Sequence, residues 1–307
     1  MILCCGEAII DMLPGQTGTG EAAYVPHMGG AIYNTAMALG RLGAPSGFFG
    51  GISTDMLGEM LCAELSRSQV DFSLSARSPR PATLAFVKLV NGQATYAFYD
   101  EASAGRMLMP HDLPRLEAAC DAMHFGGISL IAEPCGSTLE HFAMRESVYR
   151  VISIDPNIRP GMIEFPEAYI ARIRRMASVA DIVKFSDDDL AWFESRNDPG
   201  KDPEWWLKQG AKLVIVTKGA EGAIALTNRF EVAVEARRVT VVDTVGAGDT
   251  FDAAVLASFH DQGLLTKSAI AHLTTESVKQ ALDLGVKAAA VTVSRAGANP
   301  PWRSELD

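Results

Sequence analysis

The sequence predicts an α/β chain, a sandwich of helices against a sheet with a small β lid. Residues 110 to 293 alternate short apolar, β-branched runs with helical stretches, the pattern of strands joined by crossover helices. Two β-rich runs near the front, Ala82 to Val90 and Ala94 to Tyr99, are joined by Asn91-Gly92, a strong hairpin signal. An antiparallel hairpin interrupting a β-α alternation belongs outside a parallel sheet. The stretch Val239 to Ser258 then reads as a buried parallel strand (Val239 to Val242), a Gly-Ala-Gly turn and a helix.

In chain order, Ile2 to Cys5 is the first strand, which Gly6 to Asp11 continues, and residues 14 to 22 form a loop. Gly29 and Gly30 lead into a helix ending near Leu42-Gly43. Ser46 to Gly51 is a strand, and Asp55 to Ser66 is an amphipathic helix opened by Thr54 or Asp55. Further strands are expected at Ala122 to Phe125, Val151 to Ile154, Asp181 to Phe185, Lys212 to Val216 and Ala223 to Thr227. Helices are expected at Ser137 to Tyr149, Ile170 to Ser178, after the Ser186-Asp187-Asp188-Asp189 cap, at Ser268 to Ala281 and at Leu284 to Val293. The expectation is one domain, residues 1–307, with the lid built from segments of about 8–28 and 82–100.

With 307 residues, 48% hydrophobic and 21% charged, the composition is that of an ordinary globular chain. The net charge of −10 argues against a nucleic-acid surface or an anionic membrane. No apolar run has spanning length, and the N-terminus enters a strand without a basic region, so no signal peptide and a cytoplasmic location are expected. The cysteines, 5 in number and without C-x-x-C spacing, suit reduced thiols. There is no G-x-x-x-x-G-K-[ST], so phosphate handling falls to other glycine loops.

Gly246-Ala247-Gly248 before a helix leaves N–H groups aimed at one spot, at the positive end of the helix dipole, where a phosphate or transferring phosphoryl group is favoured. Asp249 beside that spot repels a bound phosphate but suits removal of a proton from an attacking hydroxyl. Alone, an aspartate in a first helical turn is equally a dipole partner. Gly29 and Gly30 permit close ligand approach, and Asn34 lies one turn on; a helix start with a buried polar residue is the plainer alternative. Asp155, Asn157 and Arg159 cluster beyond a strand's carboxyl end, where ligands gather in open α/β sheets, and Arg159 offers a bidentate fork.

Asp243-Thr244-x-Gly246-Ala247-Gly248-Asp249-Thr250-Phe251 resembles the C-terminal signature of the ribokinase-like (PfkB) carbohydrate kinases. Gly-Gly-x-x-x-Asn, Asp-Pro-Asn-x-Arg-Pro and Thr217-x-Gly219-x-x-Gly222 extend the resemblance over nearly the whole chain. It implies a ribokinase-like three-layer α/β/α sandwich whose lid excludes water, and ATP-dependent phosphorylation of a sugar's primary hydroxyl. Asp249 would be the base, and the N–H groups of Ala247, Gly248 and Asp249 would stabilise the phosphoryl charge. Asp11, Gly29, Gly30, Asn34, Asp155, Asn157 and Arg159 would bind the sugar. Lys184, Ser186, Thr217, Gly219, Gly222 and Gly297 would serve the nucleotide. Mg²⁺ would bridge the ATP phosphates with indirect help from Asp189, which replaces the family's usual glutamate. Asp243 and the Val245 carbonyl would face a monovalent cation, K⁺. Within the family the motifs look most like fructokinases; kinases for 2-keto-3-deoxygluconate, other sugars or nucleosides, and a sugar sensor without catalysis, are the alternatives. A homodimer is expected.

Overall fold

The computed structural model describes residues 1–90 and 93–306; Asn91-Gly92, on which the hairpin reading leaned, lies outside the described residues. The strands are β1 (Ile2–Cys5), β2 (Ile9–Gln16), β3 (Ala22–Gly29), β4 (Ser46–Phe49), β5 (Gly51–Ser53), β6 (Val70–Asp71), β7 (Ala76–Ser78), β8 (Thr83–Val90), β9 (Gln93–Tyr99), β10 (Ala122–Gly126), β11 (Val151–Asp155), β12 (Ile182–Ser186), β13 (Leu213–Thr217), β14 (Ala223–Leu226) and β15 (Glu231–Val234). The helices are α1 (Ala31–Arg41), α2 (Met56–Arg67), α3 (Cys135–Glu146), α4 (Pro166–Ala177), α5 (Asp187–Glu194), α6 (Pro203–Gln209), α7 (Ala247–Asp261), α8 (Lys267–Ile270) and α9 (Thr275–Val293).

The main sheet runs β15-β14-β13-β12-β11-β10-β1-β4-β6. It is parallel from β6 to β13, with β14 and β15 antiparallel at one edge. Its strands alternate between two cores. Ile2, Cys4, Val151 and Leu213 pack with residues of α1, α7 and α9, while Leu3, Cys5, Ile152 and Val214 pack with α3, α4 and α6. A sheet buried on both faces needs apolar residues at successive positions, which is why these strands read as continuous runs. Each fully buried Leu, Ile or Phe contributes roughly 1.5–3 kcal/mol. All five cysteines are free and buried.

A second sheet, β3-β2-β8-β9, stands apart and is built from the two segments expected to lie outside the parallel sheet. β2 and β3 pair antiparallel, β2 and β8 parallel, and β8 and β9 antiparallel. This pairing corrects two expectations. Gly6 to Asp11 does not extend β1: a Cβ on Gly6 would meet Ile32 Cγ1 at 2.5 Å, and the chain turns there out of the main sheet. Residues 14 to 22 are not all loop, because β2–β3 pairing carries regular strand to Gln16 despite Pro14 and Gly15.

Other boundaries moved for identifiable reasons. The expected strand Ser46 to Gly51 breaks at Gly50, where a Cβ would stand 2.2 Å from the Gly6 carbonyl oxygen, and β5 pairs instead with β7. Helix α4 starts at Pro166, a residue suited to a first helical turn, and α3 runs from Cys135 to Glu146. The expected break between Ala281 and Leu284 is absent: α9 is continuous from a Thr274 cap, and Gly285 marks close packing on the Phe251 ring of α7. The largest correction concerns Val239 to Val242, which is neither strand nor buried. The sheet already ends at β15, and Val239, Val241 and Val242 are 42%, 60% and 61% exposed. In this stretch Val242 N–H donates to the Val293 carbonyl at 2.8 Å. α6 and β15 were not anticipated.

The parallel strands end side by side, so Gly126, Asp155, Ser186 and Thr217 line one rim. The spacing there is tight: a Cβ on Gly126 would lie 1.9 Å from the Asp155 carbonyl oxygen. Gly126→Ala must therefore push β10 from β11 at Asp155. We expect it to lower unfolding free energy by about 2–3 kcal/mol, measured by urea denaturation; an unchanged midpoint would refute this packing.

Candidate active site

Helix α7 is preceded by Gly246, a left-handed residue (φ 77°) whose Cβ would stand 2.8 Å from that of Ala298. No side chain caps the helix. The Ala247 N–H closes a turn onto the Thr244 carbonyl at 3.3 Å, so it is not one of the free donors the sequence suggested. Among the described residues the N–H groups of Gly248 and Asp249 meet no acceptor. Two donors at a helix N-terminus make an anion site.

Asp249 is buried beside them. Asn34 Nδ2, on α1, donates to Asp249 Oδ2 at 2.8 Å, while Asn34 Oδ1 is buried and has no partner among the described residues. An orphaned acceptor next to a base is a place for a ligand hydroxyl. Burial pushes the Asp249 carboxyl up to about 7; the Asn34 hydrogen bond, Lys184 and Arg159 pull it down and Asp155 pushes it up. A carboxylate titrating there is well matched to taking a proton near neutral pH.

Below this turn Lys184 Nζ lies 2.9 Å from Asp155 Oδ2 and 3.7 Å from Asp252 Oδ2. Burial alone would raise the Asp155 carboxyl, but Lys184 holds it below its ordinary value. Burial drives the Asp252 carboxyl well above its ordinary value, which favours its neutral form. Among the described residues Asp252 Oδ2 meets no hydrogen-bond partner. Lys184 was expected on the nucleotide; the structure buries it among carboxylates instead. His124 Nδ1 lies 3.1 Å from Ser153 Oγ on the neighbouring strand, and burial lowers its imidazole to about 4, leaving it neutral.

The loop after β11 is held by its own residues. Asp155 Oδ1 accepts from Asn157 N–H at 3.1 Å, Asn157 is left-handed (φ 45°), and Arg159 is exposed. Asp189 Oδ1 accepts from Ile158 N–H at 2.7 Å, and Oδ2 from the N–H and hydroxyl of Ser186 at 2.8 and 2.7 Å. Both Asp189 oxygens are thus engaged by the protein, and this aspartate positions the Ile158 loop. Asp243 works similarly, accepting from Val245 N–H at 3.0 Å and Gly297 N–H at 2.9 Å, and so ties two loops together.

An open cleft of about 550 Å³ runs between the second sheet and α1. It brings together Asp11, Gly29 and Asn34 with Asp243, Val245 and Gly297. Burial pushes the Asp11 carboxyl to about 6, and a Cβ on Gly29 would lie 2.4 Å from its Oδ2. His27, opposite Asp11 on β3, shares this cleft. Gly30 (φ 110°) would crowd the Glu7 carbonyl at 3.0 Å. Thr217 sits in register with Ser186, but Thr217, Gly219 and Gly222 do not line the cleft. Gly222 (φ 103°) has a structural need of its own, since a Cβ would lie 2.0 Å from the Val234 carbonyl oxygen.

Sequence reasoning missed Glu7, His124 and Asp252. Glu7 is buried and accepts from Ala31 N–H at 2.9 Å and Ser129 N–H at 3.2 Å, setting where α1 starts. Asp252, one helical turn after Asp249, had a signal in its spacing; His124 had none.

Comparison with known proteins agrees with this geometry. The pfkB family carbohydrate kinase pattern matches residues 1–305. A fructokinase of Rhizobium leguminosarum bv. trifolii is 58% identical over 283 residues, covering 92% of this chain and 87% of its own. A fructokinase of Salmonella typhimurium is 34% identical over 85% of each chain. The crystal structure of fructokinase with bound ATP from Xylella fastidiosa matches with a TM-score of 0.91 at 28% identity, covering 99% of this chain and 96% of that one. The chain belongs to the pfkB family carbohydrate kinases, ATP-dependent enzymes built on a ribokinase-like α/β fold.

The raised Asp249 carboxyl has a thermodynamic consequence. With about 7 when folded against an ordinary 3.8, the folded state holds the extra proton between those values. Stability contributed there is present at low pH and is lost as pH rises through about 7. Asp249→Asn should therefore stabilise the protein at pH 8 by on the order of 2–4 kcal/mol and hardly at all near pH 4. Urea unfolding of both proteins at the two pH values checks this; equal differences would contradict it.

Proposed function

We propose that this pfkB family carbohydrate kinase is a fructokinase, transferring the γ-phosphoryl group of ATP to the primary hydroxyl of free D-fructose to give fructose 6-phosphate. The observation that carries the reading is the buried Asp249 carboxylate, held by Asn34 beside two free N–H groups at the start of α7. Fructose as the sugar is supported by the relative that is 58% identical.

Asp11 and the orphaned Asn34 oxygen would accept hydrogen bonds from sugar hydroxyls, while Gly29, Gly30, Asn157 and the exposed Arg159 would complete the sugar side. Asp249 takes the proton of the attacking hydroxyl. That oxygen then bonds to phosphorus as the bond to the departing nucleotide oxygen breaks. The N–H groups of Gly248 and Asp249 face the charge spread over the phosphoryl oxygens. Four strands of the second sheet would close as a lid over the cleft and keep water from the phosphoryl group.

Ser186, Thr217 and the Gly219–Gly222 loop would hold the nucleotide phosphates, with the exposed valines of 239–242 and the Gly297 loop beside the base. Among the described residues no three His, Cys, Asp or Glu side chains converge to hold a metal. Mg²⁺ would therefore be held chiefly by the ATP phosphates, whose charge it offsets. Asp243 and the Val245 carbonyl would face K⁺ where Asp243 joins the two loops. Tyr24 and Tyr99, 50% and 62% exposed, flank Phe86 on the second sheet and would meet a second copy in a homodimer. Five unpaired thiols suit a reducing cytoplasm.

ADP release from ATP-Mg²⁺ over a panel of free sugars tests this. Fructose should be turned over, with kcat/KM falling below about pH 7 as Asp249 protonates. Asp249→Asn should lose about 10²–10⁴-fold in kcat while binding fructose by calorimetry. Turnover confined to another sugar would replace the substrate, and tight sugar binding without turnover in either protein would overturn the reading.

A further inference from the structure

Lys184 lies behind the reacting groups and touches neither the cleft nor solvent. Its ammonium joins Asp155 on β11 to Asp252 on α7. A Cβ on Gly248 would stand 3.2 Å from Lys184 Nζ, so the ammonium sits directly behind the turn whose N–H groups form the anion site. Asp155 uses its other oxygen to hold Asn157 N–H. One cation therefore links the sugar-side loop to the helix that carries the base.

We propose that Lys184 is a positioning residue of the reaction: clamped by Asp155 and Asp252, it holds the 155–159 loop and the start of α7 in register and supplies positive charge behind Asp249. The inference rests on Asp249 acting as the base. Several groups face that carboxylate. Asp155 comes from β11, Arg159 from the loop after it, Lys184 from β12 and Asp252 from α7 itself, while α1 presents only the uncharged Asn34. His124 on β10 faces the Lys184–Asp155 pair and is neutral. Burial favours the neutral form of Asp252, and Lys184 lies closer to Asp155, at 2.9 Å, than to Asp252, at 3.7 Å, so the main balance behind Asp249 is the Lys184 cation against the Asp155 carboxylate. Removing the cation leaves Asp155 unopposed, and Asp249 then holds its proton to higher pH.

The test is the pH profile of kcat/KM for fructose in wild type, Lys184→Met and Lys184→Arg, with circular dichroism to confirm folding. The acid limb of Lys184→Met should move up by about one pH unit, and Lys184→Arg, keeping the charge, should return it toward wild type. A limb that stays at the wild-type pH in folded Lys184→Met overturns the inference and leaves Asp249 as base intact. A wild type without an acid limb near pH 7, or an active Asp249→Asn, overturns both together. If Lys184→Met does not fold, Asp155→Asn decides: removing the negative charge should move the limb to lower pH, and an unmoved limb is a refutation.

Discussion

A 2.8 Å hydrogen bond between Asn34 and Asp249 joins residues 215 positions apart, and the site depends on it. For the two side chains to meet, α1 and α7 must begin at the same place. Thr35 Oγ1 reinforces the junction with a 3.4 Å bond to the Asp249 carbonyl. Glu7 fixes the start of α1 by accepting its first N–H, and the neighbouring chain leaves no room for more: a Cβ on Gly127 would lie 2.2 Å from Glu7 Oε1. A carboxylate at a helix N-terminus is favoured by the dipole, so the arrangement is electrostatically consistent at both helices. One helix is held by an internal carboxylate, and the other is left open for an external anion.

Burying three aspartates and a lysine beneath one turn is costly, and their charge states show how the cost is limited. Lys184 and Asp155 form the close charged pair at 2.9 Å, with Asp252 farther off at 3.7 Å. Burial favours the neutral form of Asp252, while Lys184 keeps Asp155 charged and Asp249 titrates at about 7. The cost of a raised carboxylate thus falls on Asp249, the base of the proposed reaction. Stability is given up where chemistry needs a base.

Several conspicuous polar residues also have structural duties. Asp189 spends both oxygens on Ile158 and Ser186 donors, and Asp243 spends both on the Val245 and Gly297 N–H groups, pinning loops near the site. Arg41, one face along α1 from Asn34, donates to Asn299 Oδ1 at 2.8 Å and the Pro300 carbonyl at 3.0 Å, holding the C-terminal segment against the same helix. The loops that border the cleft are therefore set by short-range hydrogen bonds to rigid elements, which places their outward groups reproducibly.

Local chemistry in the sequence determined the parallel strands, the helix caps at Asp55, Ser186 and the glycine turn before Asp249, because each depends on residues close in the chain. The same holds for the identity of Asp249, Asn34 and Asp11 as site candidates, since glycine pairs and flanking carboxylates are contiguous motifs. Tertiary structure decided the rest. Val239 to Val242 has every local preference for strand, but a strand needs a neighbour, and the edge beside it was taken by β15. Lys184 reads as a nucleotide ligand until β11 and α7 place Asp155 and Asp252 around it. Glu7 and His124 carry no motif, because their roles arise from burial and from partners more than twenty residues away. Sequence encodes which groups are available; only packing fixes which charges face each other, and at these separations that decides what each group does.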